Sequence, residues 1–155
     1  MSISPTPGAS VLITRLSRRV YRVATEDVLG MRLKLFMTLN HLRDHSGITQ
    51  QALSEMIGID ANNCVLMLNE VEALGFARRV RDPRDRRRHI VEITDEGRAA
   101  LKNAERGMES VEEELFGALS DDERTTLRKL LTRVLEDDDV APRDEAKLGR
   151  VSASS

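Results

Sequence analysis

Seven arginines (Arg78, Arg79, Arg81, Arg84, Arg86, Arg87 and Arg88) crowd the stretch FARRVRDPRDRRRHIVEIT between Phe76 and Thr94. Guanidinium is a planar fork that pairs with phosphate oxygens and also fits a narrow minor groove. Asp82-Pro83 interrupts the run with a turn-initiating pair, because proline presets φ and the aspartate side chain can close the turn. Behind it, Val91 and Ile93 alternate with Glu92, the period of a half-buried strand. The segment reads as a two-stranded ribbon tipped with guanidinium groups, and nucleic acid is the partner this chemistry suggests. The plainer reading is solvated charge partly neutralised by Asp82 and Asp85. The residues upstream decide between the two.

Those residues are TQQALSEMIGIDANNCVLMLNEVEALG, from Thr49 to Gly75. Ser54 is small, as a close helix crossing requires. Gly58 supplies a turn that tolerates positive φ, and Cys64 is a small apolar residue facing back toward the first helix. Leu53, Met56, Ile57, Met67, Leu68 and Val71 are expected to form the surrounding core. This is a helix-turn-helix pattern, in which the second helix enters the major groove with its N-terminal residues nearest the bases. Ala61, Asn62, Asn63 and Val65 then lie closest, with Leu66 and Asn69 further along. Asparagine can pair bidentately with adenine N6 and N7, so Asn62 and Asn63 are the candidates for reading sequence. Their alternative role is that of ordinary polar residues in a first turn. Thr49, Gln50 and Gln51 open the preceding helix, where free backbone N–H groups can hold a phosphate.

Periodicity and capping residues place these motifs among further elements. Leu12, Leu16, Val20 and Val23 predict a helix from Ala9 to about Asp27, and Leu35, Phe36, Leu39 and Leu42 predict another from about Arg32 to His45. Thr49 and Asp60 are expected N-caps of the two helices of the motif, which close at Gly58 and Gly75. Thr94 caps a long helix with Asp95 and Glu96 in its first turn and a seam of Leu101, Ala104, Met108, Val111 and Leu115. Ser120 to Glu123 is a capping box for a last helix carrying Leu127, Leu130, Leu131, Val134 and Leu135. The fold class is therefore mostly α, a winged helix-turn-helix with a two-stranded wing between N- and C-terminal helices.

Bulk properties limit the alternatives. At 155 residues, 40% hydrophobic and 32% charged, the chain suits one compact soluble domain with some tail. No apolar run approaches the roughly 18–20 residues of a membrane span, the first residues lack a secretion signal, and a single cysteine makes a reducing cytoplasm the expected location. The net charge of −2 conceals a polar distribution: residues 105–139 hold twelve acids against five bases, whereas the arginine ribbon is strongly basic. Such asymmetry would steer the middle of the chain toward a polyanion. No glycine-rich phosphate loop, nucleophile elbow or metal-ligand spacing occurs, so no catalytic site, metal or cofactor is expected.

On these motifs the chain resembles the MarR family of winged-helix transcriptional regulators, in element order over roughly residues 10–136 and most sharply in LSEMIGID, NEVEALGFARR and RDPRDRRRHIVEITDEG. The resemblance implies a homodimer on a palindromic double-stranded DNA operator, acting as a repressor and open to a small-molecule effector. It implies a dimerisation region of residues 9–31 and 95–136 and a DNA-binding region of residues 32–94. The termini, 1–8 with two prolines and small polar residues and 137–155 charged and then rich in serine, are expected from their composition to lack fixed structure. Asp85 and Arg87 match the family's Asp-x-Arg at the wing tip. Arg87, with Arg84 and Arg86 beside it, would then serve the wing's DNA contact, while Asp85 braces the wing through Arg79 at its base. The recognition helix departs from many members, which carry a basic residue in place of Leu66 and a hydroxyl in place of Val65. Either apolar residue could read a thymine methyl or simply pack.

Other residues have competing readings. Cys64 is a redox switch or a structural residue, and its helix-crossing position favours the second. Tyr21, His41 and His45 either line an effector pocket of the kind the family's members form or fill ordinary surface and core roles. Adjacent acids such as Glu112 to Glu114 do not share a helix face and read as solvated charge. The rival function from another class is a winged helix that docks a protein partner.

Overall fold

The computed structural model describes residues 5–136, so what was expected of residues 1–4 and 137–155 lies outside the described residues. Of the described residues, those up to Leu115 form one compact unit and those from Phe116 to Glu136 belong to a second.

In the first unit the expected opening helix is two. Helix α1 (Ala9–Val23) stops at Ala24, and a single-turn α2 (Glu26–Leu29) follows, ended by Gly30. Thr25 and Gly30 are poor helix-interior residues, and both termini of the short helix fall on them. Helix α3 (Leu33–Asp44) buries Leu35, Phe36, Leu39 and Leu42, the predicted stripe. Helix α1 behaves differently. It buries no residue fully, and Val11, Leu12 and Ile13 face outward.

The sheet has three strands where two were expected. Ile48 and Thr49 form β1, which pairs antiparallel with β3 (His89–Ile93), and β3 pairs in turn with β2 (Ala77–Arg81). The Gly47 N–H reaches the Val91 carbonyl at 2.9 Å and starts the extra pairing. Two residues are too few to display a periodicity, so sequence pattern gave no sign of β1. Val91, opposite both Ile48 and Arg79, is fully buried, with Ile93 and Ala77 beside it, so the sheet's inner face joins the helical core.

Between β1 and β2 lie α4 (Gln50–Ile57) and α5 (Ala61–Ala73). Gly58 joins them at φ 76°. An added Cβ there would meet nothing within 4 Å, so the requirement is conformational and not one of space. Leu53, Cys64, Leu68 and Val71 are buried and Ile57 and Met67 partly so, whereas Met56, expected in the core, is 42% exposed. Leu53 is the only fully buried residue of α4, so this short helix turns a narrow stripe inward and Met56 falls outside it.

Helix α6 (Asp95–Phe116) begins under the cap that Thr94 provides, with the Gly97 N–H donating to Thr94 Oγ1 at 3.0 Å. The Thr94 hydroxyl donates to the Gly75 carbonyl, and the Thr94 N–H to that of Phe76. One residue thus ties the exit of α5 to the start of α6. Leu101, Ala104 and Val111 are buried along the predicted seam. In the second unit, α7 (Asp121–Glu136) opens with the expected capping box: Glu123 N–H to Ser120 Oγ at 3.2 Å and Ser120 N–H to Glu123 Oε1 at 3.0 Å. It buries no residue fully, and Leu130, Val134 and Leu135 are exposed. No described helix is long and apolar enough to cross a membrane.

Candidate nucleic-acid interface

The hairpin between β2 and β3 is closed by its aspartates through the backbone. Asp82 Oδ1 accepts from the Arg84 N–H at 2.9 Å and Asp85 Oδ1 from the Arg87 N–H at 3.1 Å. The Asp82 N–H reaches the Arg88 carbonyl and the Arg88 N–H that of Asp85, both at 3.0 Å. Both carboxylates hold the turn, and Asp85 in addition pairs with one of the arginines, Arg88.

Of the seven guanidiniums, four have partners. Arg78 pairs with Glu92 at 3.0 Å, Arg79 with Glu72 at 2.7 Å and Arg88 with Asp85 at 3.4 Å, while Arg81 donates to the Arg86 carbonyl at 3.1 Å. Arg84, Arg86 and Arg87 are exposed and have no side-chain partner among the described residues. They are the three arginines assigned to DNA contact from sequence. The expected brace from Asp85 to Arg79 does not form. Asp85 is occupied by its own turn, and the strand of Arg79 carries that side chain toward α5, where a carboxylate is nearer.

At α5 the Asp60 cap forms as expected, with the Asn63 N–H on Asp60 Oδ1 at 2.8 Å. Asn63 Nδ2 also donates to Asp60 Oδ2 at 2.8 Å, so its amide is tied to the cap. Asn62 is exposed and its amide has no partner among the described residues. The two asparagines, alike in sequence, are thus unlike in availability. Val65 is half-buried, and Leu66 stands 65% exposed. Thr49 caps α4 through the Ala52 N–H at 3.1 Å, with Gln50 and Gln51 in the first turn. The Cys64 thiol lies 3.9 Å from the Gln50 carbonyl, bringing the starts of the two helices together.

Sequence reasoning missed the contacts that hold α5. Arg32, before α3, pairs with Glu70. Arg79 donates from its backbone N–H and its Nε to Glu72 Oε1, and reaches Asn69 Oδ1 through Nη2. Asn69 and Glu72 are three residues apart and share a helix face, and the turn at Gly75 folds Arg79 back onto it. That spacing was available in the sequence. Hydrogen bonding from Arg79 holds the Glu72 carboxyl below the usual glutamate range, against a smaller opposing effect of burial. A depressed folded-state value means the stabilisation is present above the unfolded pKa of about 4.3 and is lost as pH falls through the folded value. The melting-temperature difference between parent and Glu72→Gln should therefore stay constant from about pH 8 to about pH 5 and shrink only in stronger acid. A difference that shrinks at neutral pH would count against the pair.

Burial pushes the Cys64 thiol up, with the charge of Arg79 offsetting this in part. The thiolate, the reactive form, is suppressed. A thiol reagent at neutral pH should label Cys64 at least about a hundredfold more slowly in the folded protein than in denaturant. Rapid labelling of folded protein would contradict a structural role.

A cavity of about 380 Å³ lies between α1, α3 and the two helices of the motif, lined by Tyr21, Arg32, Met37, Ile59, Leu66 and Glu70 among others. Tyr21 is part of this lining, whereas His41 and His45 are not.

A helix-turn-helix followed by an arginine-tipped hairpin defines a winged helix-turn-helix protein of the transcriptional-regulator class. Residues 29–88 match the MarR family. The chain is 33% identical over 100 residues to the transcriptional regulator HosA of Escherichia coli O111:H-, spanning 64% of this chain and 74% of that protein. The chain belongs to the MarR family. Among solved structures it is similar to CouR, a transcriptional repressor bound to a 23-mer DNA duplex, at 27% identity and a TM-score of 0.73 over 85% of this chain and 99% of that one. It is likewise similar to a cysteine-to-serine variant of MarR from E. coli complexed with operator DNA, at 26% identity and a TM-score of 0.69, covering 81% and 92% of the two chains.

Proposed function

We propose that the protein is a homodimeric repressor that binds a palindromic operator in double-stranded DNA in the cytoplasm, acting by binding and not as an enzyme. The observation that carries this is the set of three unpartnered guanidiniums on a turn closed by its own aspartates, next to a recognition helix whose Asn62 amide is unengaged. Residues 32–94 make the DNA contact: Asn62 reads a base, Asn63, Val65 and Leu66 complete the major-groove surface, Thr49, Gln50 and Gln51 meet phosphate, and Arg84, Arg86 and Arg87 meet the flanking groove. Residues 9–31 and 95–136 form the dimerisation region. Helices α1 and α7 support that assignment, because each has an apolar seam and no fully buried residue. The cavity beside α5 supports a response to a small molecule, since an occupant would touch Leu66 and Glu70 of the recognition helix directly.

Selection of bound fragments from a random duplex pool tests the reading. Enrichment of a palindrome is expected. Asn62→Ala should lose preference at one base pair per half-site, a discrimination of about 1–3 kcal/mol. A pool that is not enriched at all by the parent protein would overturn the operator assignment.

A further inference from the structure

The recognition helix and the wing are continuous through the short turn at Gly75, but a second link joins them side by side. Arg79 of β2 donates twice to Glu72 Oε1, from its N–H at 2.9 Å and its Nε at 2.7 Å. Its Nη2 reaches Glu72 Oε2 at 3.2 Å and also Asn69 Oδ1. One guanidinium thereby grips two positions on one face of α5. The Arg79 and Glu72 side chains are 23% and 33% exposed, against 68% for Arg78 and 65% for Arg88 in the wing's other ion pairs. Less exposed charge is less screened, and a planar fork held at several points resists rotation better than a single contact.

We propose that Glu72, Arg79 and Asn69 are positioning residues that set operator specificity, by locking the angle between the recognition helix and the wing so that both arrive in register on one half-site. This rests on the DNA-binding reading above and goes beyond it, because these side chains act without touching a base. Joining two contacts rigidly raises the effective concentration of the second once the first is made. Binding to arbitrary sequence relies on phosphates and tolerates many angles, so it gains little from the lock.

Glu72→Gln separates this from simple electrostatics. Removing a negative charge near a DNA-binding surface would by itself tighten binding to all DNA, whereas loosening the lock lowers preference for the operator. Arg79→Lys keeps the charge and loses the fork. The experiment uses the full chain and an operator duplex recovered by the parent protein. Affinities for it and for a shuffled duplex are measured by fluorescence anisotropy at one salt concentration, alongside melting temperatures. Glu72→Gln is expected to lower the operator-to-shuffled affinity ratio about tenfold and Arg79→Lys about threefold, with shuffled-duplex affinity within about twofold of parent. An unchanged ratio, or operator and shuffled affinities rising together, overturns the proposal. If Glu72→Gln does not fold, Arg79→Lys decides by the same ratio. A parent protein that recovers no operator removes the DNA-binding reading itself, and this inference with it.

Discussion

Replacing Arg84, Arg86 and Arg87 together by alanine is expected to weaken DNA binding about a hundredfold at physiological salt. The dependence on salt should flatten as well: at about 0.9 per phosphate contact, three guanidiniums from each of two protomers could lower the logarithmic slope by up to about 5. The fold should tolerate the change. The turn is closed by the backbone N–H groups of Arg84 and Arg87 on the carboxylates of Asp82 and Asp85, and alanine keeps both donors. Arg81 likewise bonds the carbonyl of Arg86 and not its side chain. Exposed substitutions of this kind change stability by within about 0.5 kcal/mol, or about 2 °C in melting temperature. Titrations over a range of salt concentrations check this, and a triple variant with the parent's affinity and slope would remove the wing's assigned role.

A second large effect is expected in stability and comes from a residue with no polar chemistry. Gly97 lies in the first turn of α6, where an added Cβ would overlap the backbone carbonyl of Phe76 and press on Ile93 Cγ1. The Phe76 carbonyl cannot retreat freely, because it accepts the Thr94 N–H at 3.0 Å. Gly97→Ala should therefore move α6 away from the base of the wing, at an overpacking cost of about 1–3 kcal/mol. In a chain of this size that corresponds to a fall of roughly 3–10 °C in melting temperature. Gly8→Ala is the control: its site has nothing within 4 Å and an ordinary negative φ. Equal melting temperatures for the two variants would contradict the close packing.

Much of the architecture was legible because it rests on local signals that the structure reproduces. The caps at Thr49, Asp60, Thr94 and Ser120 all form, and each needs only a side chain and a helix start a few residues apart. The apolar stripe of α3 and the turn at Gly58 are similarly local. What was missed depends on contacts between elements. Strand β1 exists because Gly47 meets Val91, far away in sequence. Asn62 and Asn63 could not be distinguished, since only the cap geometry shows that Asp60 takes the amide of one and leaves the other. Arg79 was given Asp85 as partner by resemblance, whereas helical spacing of Asn69 and Glu72 pointed to α5. The apolar seams of α1 and α7 were read correctly as helical, but their exposure in the single chain could be seen only once the core had been located elsewhere.

The most direct measurement is a hydroxyl-radical footprint of the parent protein and the wing variant on a duplex recovered by selection. The parent should protect two related half-sites with centres about 34–36 Å apart, together with outer minor-groove positions whose protection disappears when Arg84, Arg86 and Arg87 are alanine. A single unsymmetrical patch, no protection in dilute salt, or outer protection that survives loss of the three arginines would contradict a twofold pair of helix and wing gripping the duplex together.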